Sequence, residues 1–156
     1  MNIKDILQSI GIVTAVFAVF GIALGILSFV SGSWAQTQLV DAAAGGVTFG
    51  PTFVAIAYLQ TAVIIFFLGP VIAALVGGLL GGVFSNPKTA LITGGGGSLV
   101  GFYIMTVIAL GVLMLSKGGN APQAFSLGQA LFPMVISGIP TAIMGSLISA
   151  LSSALN

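Results

Sequence analysis

The 156-residue chain contains no cysteine, histidine, arginine or glutamate. Without cysteine it forms neither disulfides nor thiolate nucleophiles, and without histidine it lacks the base of a catalytic triad and the imidazole ligands of most zinc sites. Its two carboxylates, Asp5 and Asp41, are predicted on opposite sides of a membrane. The sequence therefore predicts a protein that is not an enzyme and that has no catalytic residue, cofactor or metal site.

Charge is also scarce, because only 3% of the residues are charged while 58% are hydrophobic. A soluble domain of this size needs a surface with roughly 25–35% charged residues, which this chain cannot build. The net charge of +1 provides no basic patch for nucleic acid. We therefore expect an integral membrane protein whose partners are the lipid bilayer and other transmembrane helices, belonging either to partner subunits or to copies of itself.

Polar and charged stretches divide the chain into four apolar segments. Each is long enough to cross a hydrocarbon core of about 30 Å at about 1.5 Å per helical residue. The predicted fold class is an all-α integral membrane protein, a four-span transmembrane helix bundle, with residues 1–156 forming one transmembrane domain. The predicted spans are residues 7–30, 52–84, 89–116 and 127–155.

The second span is too long to cross the membrane as a straight helix, and Pro70 lies near its middle. Proline has no N–H group, so the carbonyl of Phe66 loses its helical partner and the helix either kinks or divides there. Asn86 and Pro87 suit the N-cap and the first residue of the third span. The short connection between these spans predicts that they are antiparallel neighbours.

Four spans place both termini and the 85–89 connection on one side of the membrane. That side carries Lys4 and Lys88, whereas the other side carries Lys117 and Asp41. Cytoplasmic loops are enriched in lysine and arginine, so this distribution predicts cytoplasmic N and C termini.

Small residues recur at alternating spacings of three and four from Gly11 to Gly32 in the first span. Similar stripes occur in the other spans. Lipid provides no hydrophobic drive between helices, so small residues at this spacing indicate close helix packing. The residues predicted to form these contacts are Gly11, Ala18, Gly21, Gly25, Gly77, Gly81, Gly97, Gly101, Gly138 and Gly145.

Parts of the two halves of the chain are similar. IALGILSFVSG (22–32) and IALGVLMLSKG (108–118) share six of eleven residues at an offset of 86. An offset of 69 pairs Gln60 with Gln129 and Gly69 with Gly138. Two interpretations stay open: chance recurrence in a chain of low complexity, or a duplicated two-helix unit whose copies enter the membrane in the same direction about a two-fold axis.

The leading functional hypothesis is a structural or accessory small subunit of a membrane-embedded assembly, with small-residue stripes that face other chains. The first alternative is a small oligomeric channel or facilitator. The weaker alternative is a holin-like protein that forms membrane lesions. The spans contain no ionisable carboxylate, lysine or histidine for proton-coupled transport. A path through the channel alternative would be lined by Gln60, Gln129, Pro70 and Pro140.

Overall fold

The structure is a computed structural model that describes residues 3–37, 50–115 and 127–155. Within these residues the chain is an all-α four-helix bundle, as predicted. All four helices are long and apolar enough to cross a membrane. They are α1 (Ile3–Gln36), α2 (Gly50–Gly81), α3 (Pro87–Leu115) and α4 (Leu127–Ala154).

The helix boundaries differ from the predicted spans most clearly in α1, which has 34 residues and includes Lys4, Asp5 and Trp34. Hydrophobicity marks only the part of a helix inside hydrocarbon, whereas the backbone hydrogen bonds continue into the polar interface. In α2, Pro70 lies inside one continuous helix, so the proline does not divide the second span.

The start of α3 confirms the predicted N-cap. The backbone N–H of Lys88 donates to Oδ1 of Asn86 at 2.9 Å, and Pro87 is the first helical residue. Before it, α2 ends in a tight turn in which the N–H of Phe84 donates to the carbonyl of Gly81 at 3.1 Å. The hydrogen bonds of this connection provide partners for backbone groups at the end of α2 and the start of α3.

In the pairs α1–α3 and α2–α4, later residues of one helix contact later residues of the other, so each of these pairs is parallel. Along α3 and α4 they run in opposite directions, so that pair is antiparallel. The largest interfaces are α1–α3, α3–α4 and α2–α4, whereas α2 touches α3 and α1 less. The second and third spans are therefore neighbours, but each packs mainly against other helices.

The arrangement of the described helices lacks the two-fold axis that the duplication interpretation implies. A two-fold that exchanges α1 with α3 and α2 with α4 would make α1–α4 contacts match α2–α3 contacts. Within the described residues α2 and α3 touch, whereas α1 and α4 do not. The hairpin of α1 and α2 instead lies beside the hairpin of α3 and α4 in the same orientation.

Candidate functional site

The α1–α3 interface is reciprocal, because each helix offers glycines to large residues of the other. A Cβ atom placed on Gly21 would lie 2.8 Å from the carbonyl oxygen of Met105. In the other direction, a Cβ on Gly101 would lie 2.7 Å from the ring of Phe17. Since small residues let helices approach closely, the two parallel helices interlock along their length.

The same interface contains a second pair of each kind. A Cβ on Gly97 would lie 2.9 Å from Cβ of Val13, and a Cβ on Gly25 would lie 2.9 Å from Cβ of Val112. Four of the predicted packing glycines thus lie between α1 and α3 of the same chain. The large residues that fill them were not predicted, since nothing distinguishes a packing valine from a lipid-facing valine in an apolar helix.

The parallel α2–α4 interface is built from backbone contacts. A Cβ on Gly77 would lie 3.0 Å from the carbonyl oxygen of Gly145, and a Cβ on Gly81 would lie 2.8 Å from Cα of Ser149. Two hydroxyls then join the helices: Ser152 donates to the carbonyl of Gly78 at 2.8 Å, and Ser153 donates to that of Phe84 at 2.6 Å. The second bond supplies a donor to a carbonyl just beyond the end of α2.

The antiparallel α3–α4 interface pairs a glycine and a serine on each helix. A Cβ on Gly94 would lie 2.6 Å from Cβ of Ser149, and a Cβ on Gly145 would lie 2.7 Å from Cβ of Ser98. Both serines are 1% exposed, and neither hydroxyl has a hydrogen-bond partner. Ser149 belongs to the small-residue stripe of the fourth span, whereas Ser98, four residues after Gly94, was not predicted as a contact.

Two aromatic rings of α3 fill glycine notches beside the proline positions. A Cβ on Gly69 would lie 2.7 Å from Cε2 of Phe102, and a Cβ on Gly138 would lie 2.8 Å from Cζ of Tyr103. The two rings are 5.7 Å apart and tilted by 57°. Pro70 follows Gly69, so this layer occupies the point where α2 lacks one backbone hydrogen bond.

Some glycines of the described residues have open space where a side chain would be. No atom lies within 4 Å of a Cβ placed on Gly11, Gly96 or Gly111. Gly11 is exposed and Ala18 is half-buried, so the predicted stripe of α1 is fully buried only in its C-terminal part. Within one chain, the packing role predicted for Gly11 has no partner.

The predicted path-lining residues do not converge on an interior channel. Gln60 is exposed on the surface of α2. It precedes the end of that helix by 21 residues, a distance of about 32 Å, which is close to the full hydrocarbon thickness. Pro140 is also exposed, and Pro70 is half-buried. The side chain of Gln129 lies outside the described part of the structure.

Among the described residues, no three histidine, cysteine, aspartate or glutamate side chains lie close enough to hold a metal ion. In comparisons with known proteins, no family model matches the chain, and no curated protein and no solved structure matches it either. The protein is therefore classed by its fold alone, as a four-helix membrane bundle. Its function has to be inferred from the helices and their contacts.

Proposed function

We propose that this chain is a structural or accessory subunit of a membrane-embedded assembly, with both termini in the cytoplasm. The supporting observation is that the glycines between its helices are in contact with other helices of the same chain. Backbone or side-chain atoms of a neighbouring helix lie against Gly21, Gly77, Gly94, Gly101 and Gly145. The interior is close-packed at these points, so the surface available for a partner is the outside of the helices.

That outside surface is apolar along every helix. Large exposed side chains include Val19 on α1, Phe67 on α2, Val107 on α3 and Phe132 on α4. Such a surface suits lipid or other transmembrane helices and offers soluble partners little to bind. The hypothesis changes in one respect, because the stripes predicted to face other chains are mostly used inside this one.

The test is the mass and composition of the particle extracted from membranes in a mild detergent. Stoichiometric co-purifying proteins, or a defined number of copies of this chain, would support a subunit role. A particle that contains a single chain at every mild condition would overturn it. Extraction in a harsh detergent that dissociates assemblies provides the reference mass of the monomer.

A small oligomeric channel is the second candidate, and the exposure of the Gln60 amide favours it. An amide on an otherwise apolar helix surface is costly in lipid unless it meets water or another polar group. A path would then run between copies rather than through one chain. The candidate predicts solute flux in liposomes that Gln60→Leu reduces. Flux equal to that of empty liposomes would eliminate it, and leakage of large dyes would indicate a membrane lesion instead.

A further inference from the structure

The hydroxyls of Ser98 and Ser149 are buried in the α3–α4 interface without a hydrogen-bond partner. Ser98 lies against Gly145 and Ser149 lies against Gly94, so both hydroxyls point into the contact between the two helices. A third hydroxyl without a partner belongs to Thr93, which precedes Gly94 in α3 and is also 1% exposed. Burying a hydroxyl without a partner costs free energy, so access to water would stabilise these groups.

Other buried hydroxyls of this chain avoid that cost by bonding within their own helix. Thr106, which is 0% exposed, donates to the carbonyl of Phe102 four residues earlier at 2.8 Å. The equivalent acceptor for Ser98 is the carbonyl of Gly94, whose oxygen lies 2.7 Å from a Cβ placed on Gly145. That carbonyl packs against the backbone of α4, and the hydroxyl of Ser98 lies across the contact instead. The missing bond is thus a consequence of how closely the two helices approach.

Near these hydroxyls the facing surfaces of α3 and α4 are smooth. The nearest atoms to a Cβ placed on Gly94, Gly95 or Gly145 are backbone atoms or serine side chains of the facing helix. At the same depth in the α1–α3 interface, the branched side chain of Val13 fills the notch at Gly97. Interlocked side chains resist sliding and separation, so α4 separates from α3 more readily than α1 does.

The other side of the same part of α4 is bonded to α2. Ser152 donates to the carbonyl of Gly78 at 2.8 Å, and Ser153 donates to that of Phe84 at 2.6 Å. Since these hydrogen bonds join α4 to the end of α2, the C-terminal segments of the two helices form a pair that moves together relative to α3.

Both helices of this pair contain a proline at the same level of the bundle. Residues that meet across the α2–α4 contact, such as Gly77 and Gly145, are 68 positions apart. Pro70 and Pro140 are 70 apart, so they lie within about 3 Å of the same level. Each proline removes one backbone hydrogen bond and is a natural point of bending. The aromatic layer of α3 described above lies beside both prolines, so α3 is anchored to the pair at the point where the pair bends.

We propose that the C-terminal segments of α2 and α4 bend away from α3 about Pro70 and Pro140, and that water then enters the α3–α4 contact and solvates Ser98 and Ser149. The opening is at the end of the bundle that carries Lys88, because the aromatic layer closes the contact on its other side. The short connection keeps α2 beside α3, so the separation is widest at α4. This inference goes beyond the proposed subunit role and does not depend on it.

The test is the rate at which single cysteines react with a positively charged, water-soluble methanethiosulfonate in permeabilised membranes. The chain has no cysteine, so each variant carries one thiol. The reactive thiolate forms in water and not in lipid or in a closed interface, so we expect Ser98→Cys and Ser149→Cys to react about tenfold faster than the controls, or more.

Two buried positions provide the controls. Val13→Cys is matched for depth, because Val13 is 2% exposed and lies against Gly97, the residue before Ser98. Thr141→Cys lies in the aromatic layer, because Thr141 is 0% exposed and its hydroxyl oxygen is 2.8 Å from a Cβ placed on Gly69. Both are expected to stay unreactive. Rates for the two serine positions that do not exceed the rate of Val13→Cys would overturn the proposal.

Deuterium exchange of the unaltered chain in lipid nanodiscs makes the test independent of these substitutions. Because exchange requires water, residues 94–98 and 145–149 are expected to exchange faster than residues 10–14, which lie at the same depth in α1. Equal protection of the three segments contradicts the opening even where the cysteines react, since the reaction then reflects the substitution. Neither measurement depends on the mass of the particle, so a failure here leaves the subunit role intact.

Discussion

The neighbours of each glycine decide whether a side chain could be added at that position without disturbing the bundle. Gly21 faces the backbone of Met105, which cannot move aside without displacing α3. Gly11, ten residues earlier on the same helix, faces open space. A methyl group is therefore expected to clash at Gly21 and to be tolerated at Gly11, although both belong to one stripe in the sequence.

We expect Gly21→Ala to destabilise the fold by about 1–3 kcal/mol, because the added Cβ would lie 2.8 Å from the carbonyl oxygen of Met105. The matched variant Gly11→Ala should change stability by less than about 0.5 kcal/mol. The measurement is the free energy of unfolding in dissociating detergent, titrated with a denaturing one. Equal effects of the two substitutions would show that the α1–α3 approach is not as close as described.

At the scale of the helix, hydroxyls act differently when they bond within a helix and between helices. Ser31 donates to the carbonyl of Leu27 in its own helix at 2.6 Å and is exposed. Ser153 donates to the carbonyl of Phe84 at the same distance, joins α4 to the end of α2 and is 8% exposed. Only the second bond holds two elements together.

Ser153→Ala is expected to lower the free energy of unfolding by about 1 kcal/mol, since it leaves a buried carbonyl without that donor. Ser31→Ala, which removes only an intrahelical bond, serves as the control and should have an effect within about 0.5 kcal/mol. Both are measured in the same detergent titration. If Ser153→Ala and Ser31→Ala are indistinguishable, the contact between the end of α2 and α4 contributes nothing to stability.

The sequence predicted the helices better than it predicted their faces. Long apolar runs and the Asn86–Pro87 cap locate the four elements, since hydrocarbon thickness and capping chemistry act locally. Which face packs is not local, because lipid and protein interior both favour apolar residues. For this reason Phe17 and Val13 were not predicted as contacts.

Glycine spacing was a partial guide to the interfaces, since it marks where helices can approach without saying which helix does so. Gly77 of α2 lies against α4, and Gly97 of α3 lies against α1. Gly11 shares the stripe of Gly21 but not its neighbour, because Val13 and Phe17 face α3 at the N-terminal end of the contact. The aromatic layer on Gly69 and Gly138 depends in the same way on how α3 packs against α2 and α4.

At the scale of the whole molecule, the helix directions put three parts of the chain at one end of the bundle. The start of α1, the connection from α2 to α3 and the end of α4 lie together, as the bond from Ser153 to Phe84 illustrates. That end carries Lys4 and Lys88 among the described residues. In the proposed orientation this end faces the cytoplasm, as the positive-inside rule predicts.

Single cysteines at Ser85 and Ala154 should therefore be protected from a membrane-impermeant maleimide added to intact cells, and a cysteine at Thr37 should be labelled. The proposed orientation rests on Lys4 and Lys88 against Lys117 on the other side, so replacing both Lys4 and Lys88 with glutamine should produce a mixed population in which each position is partly labelled. Lysis provides full labelling as the reference. Labelling of Ser85→Cys from outside in the otherwise unchanged chain would contradict the orientation. A Lys4→Gln, Lys88→Gln variant that keeps the original pattern would instead show that features other than these lysines set it.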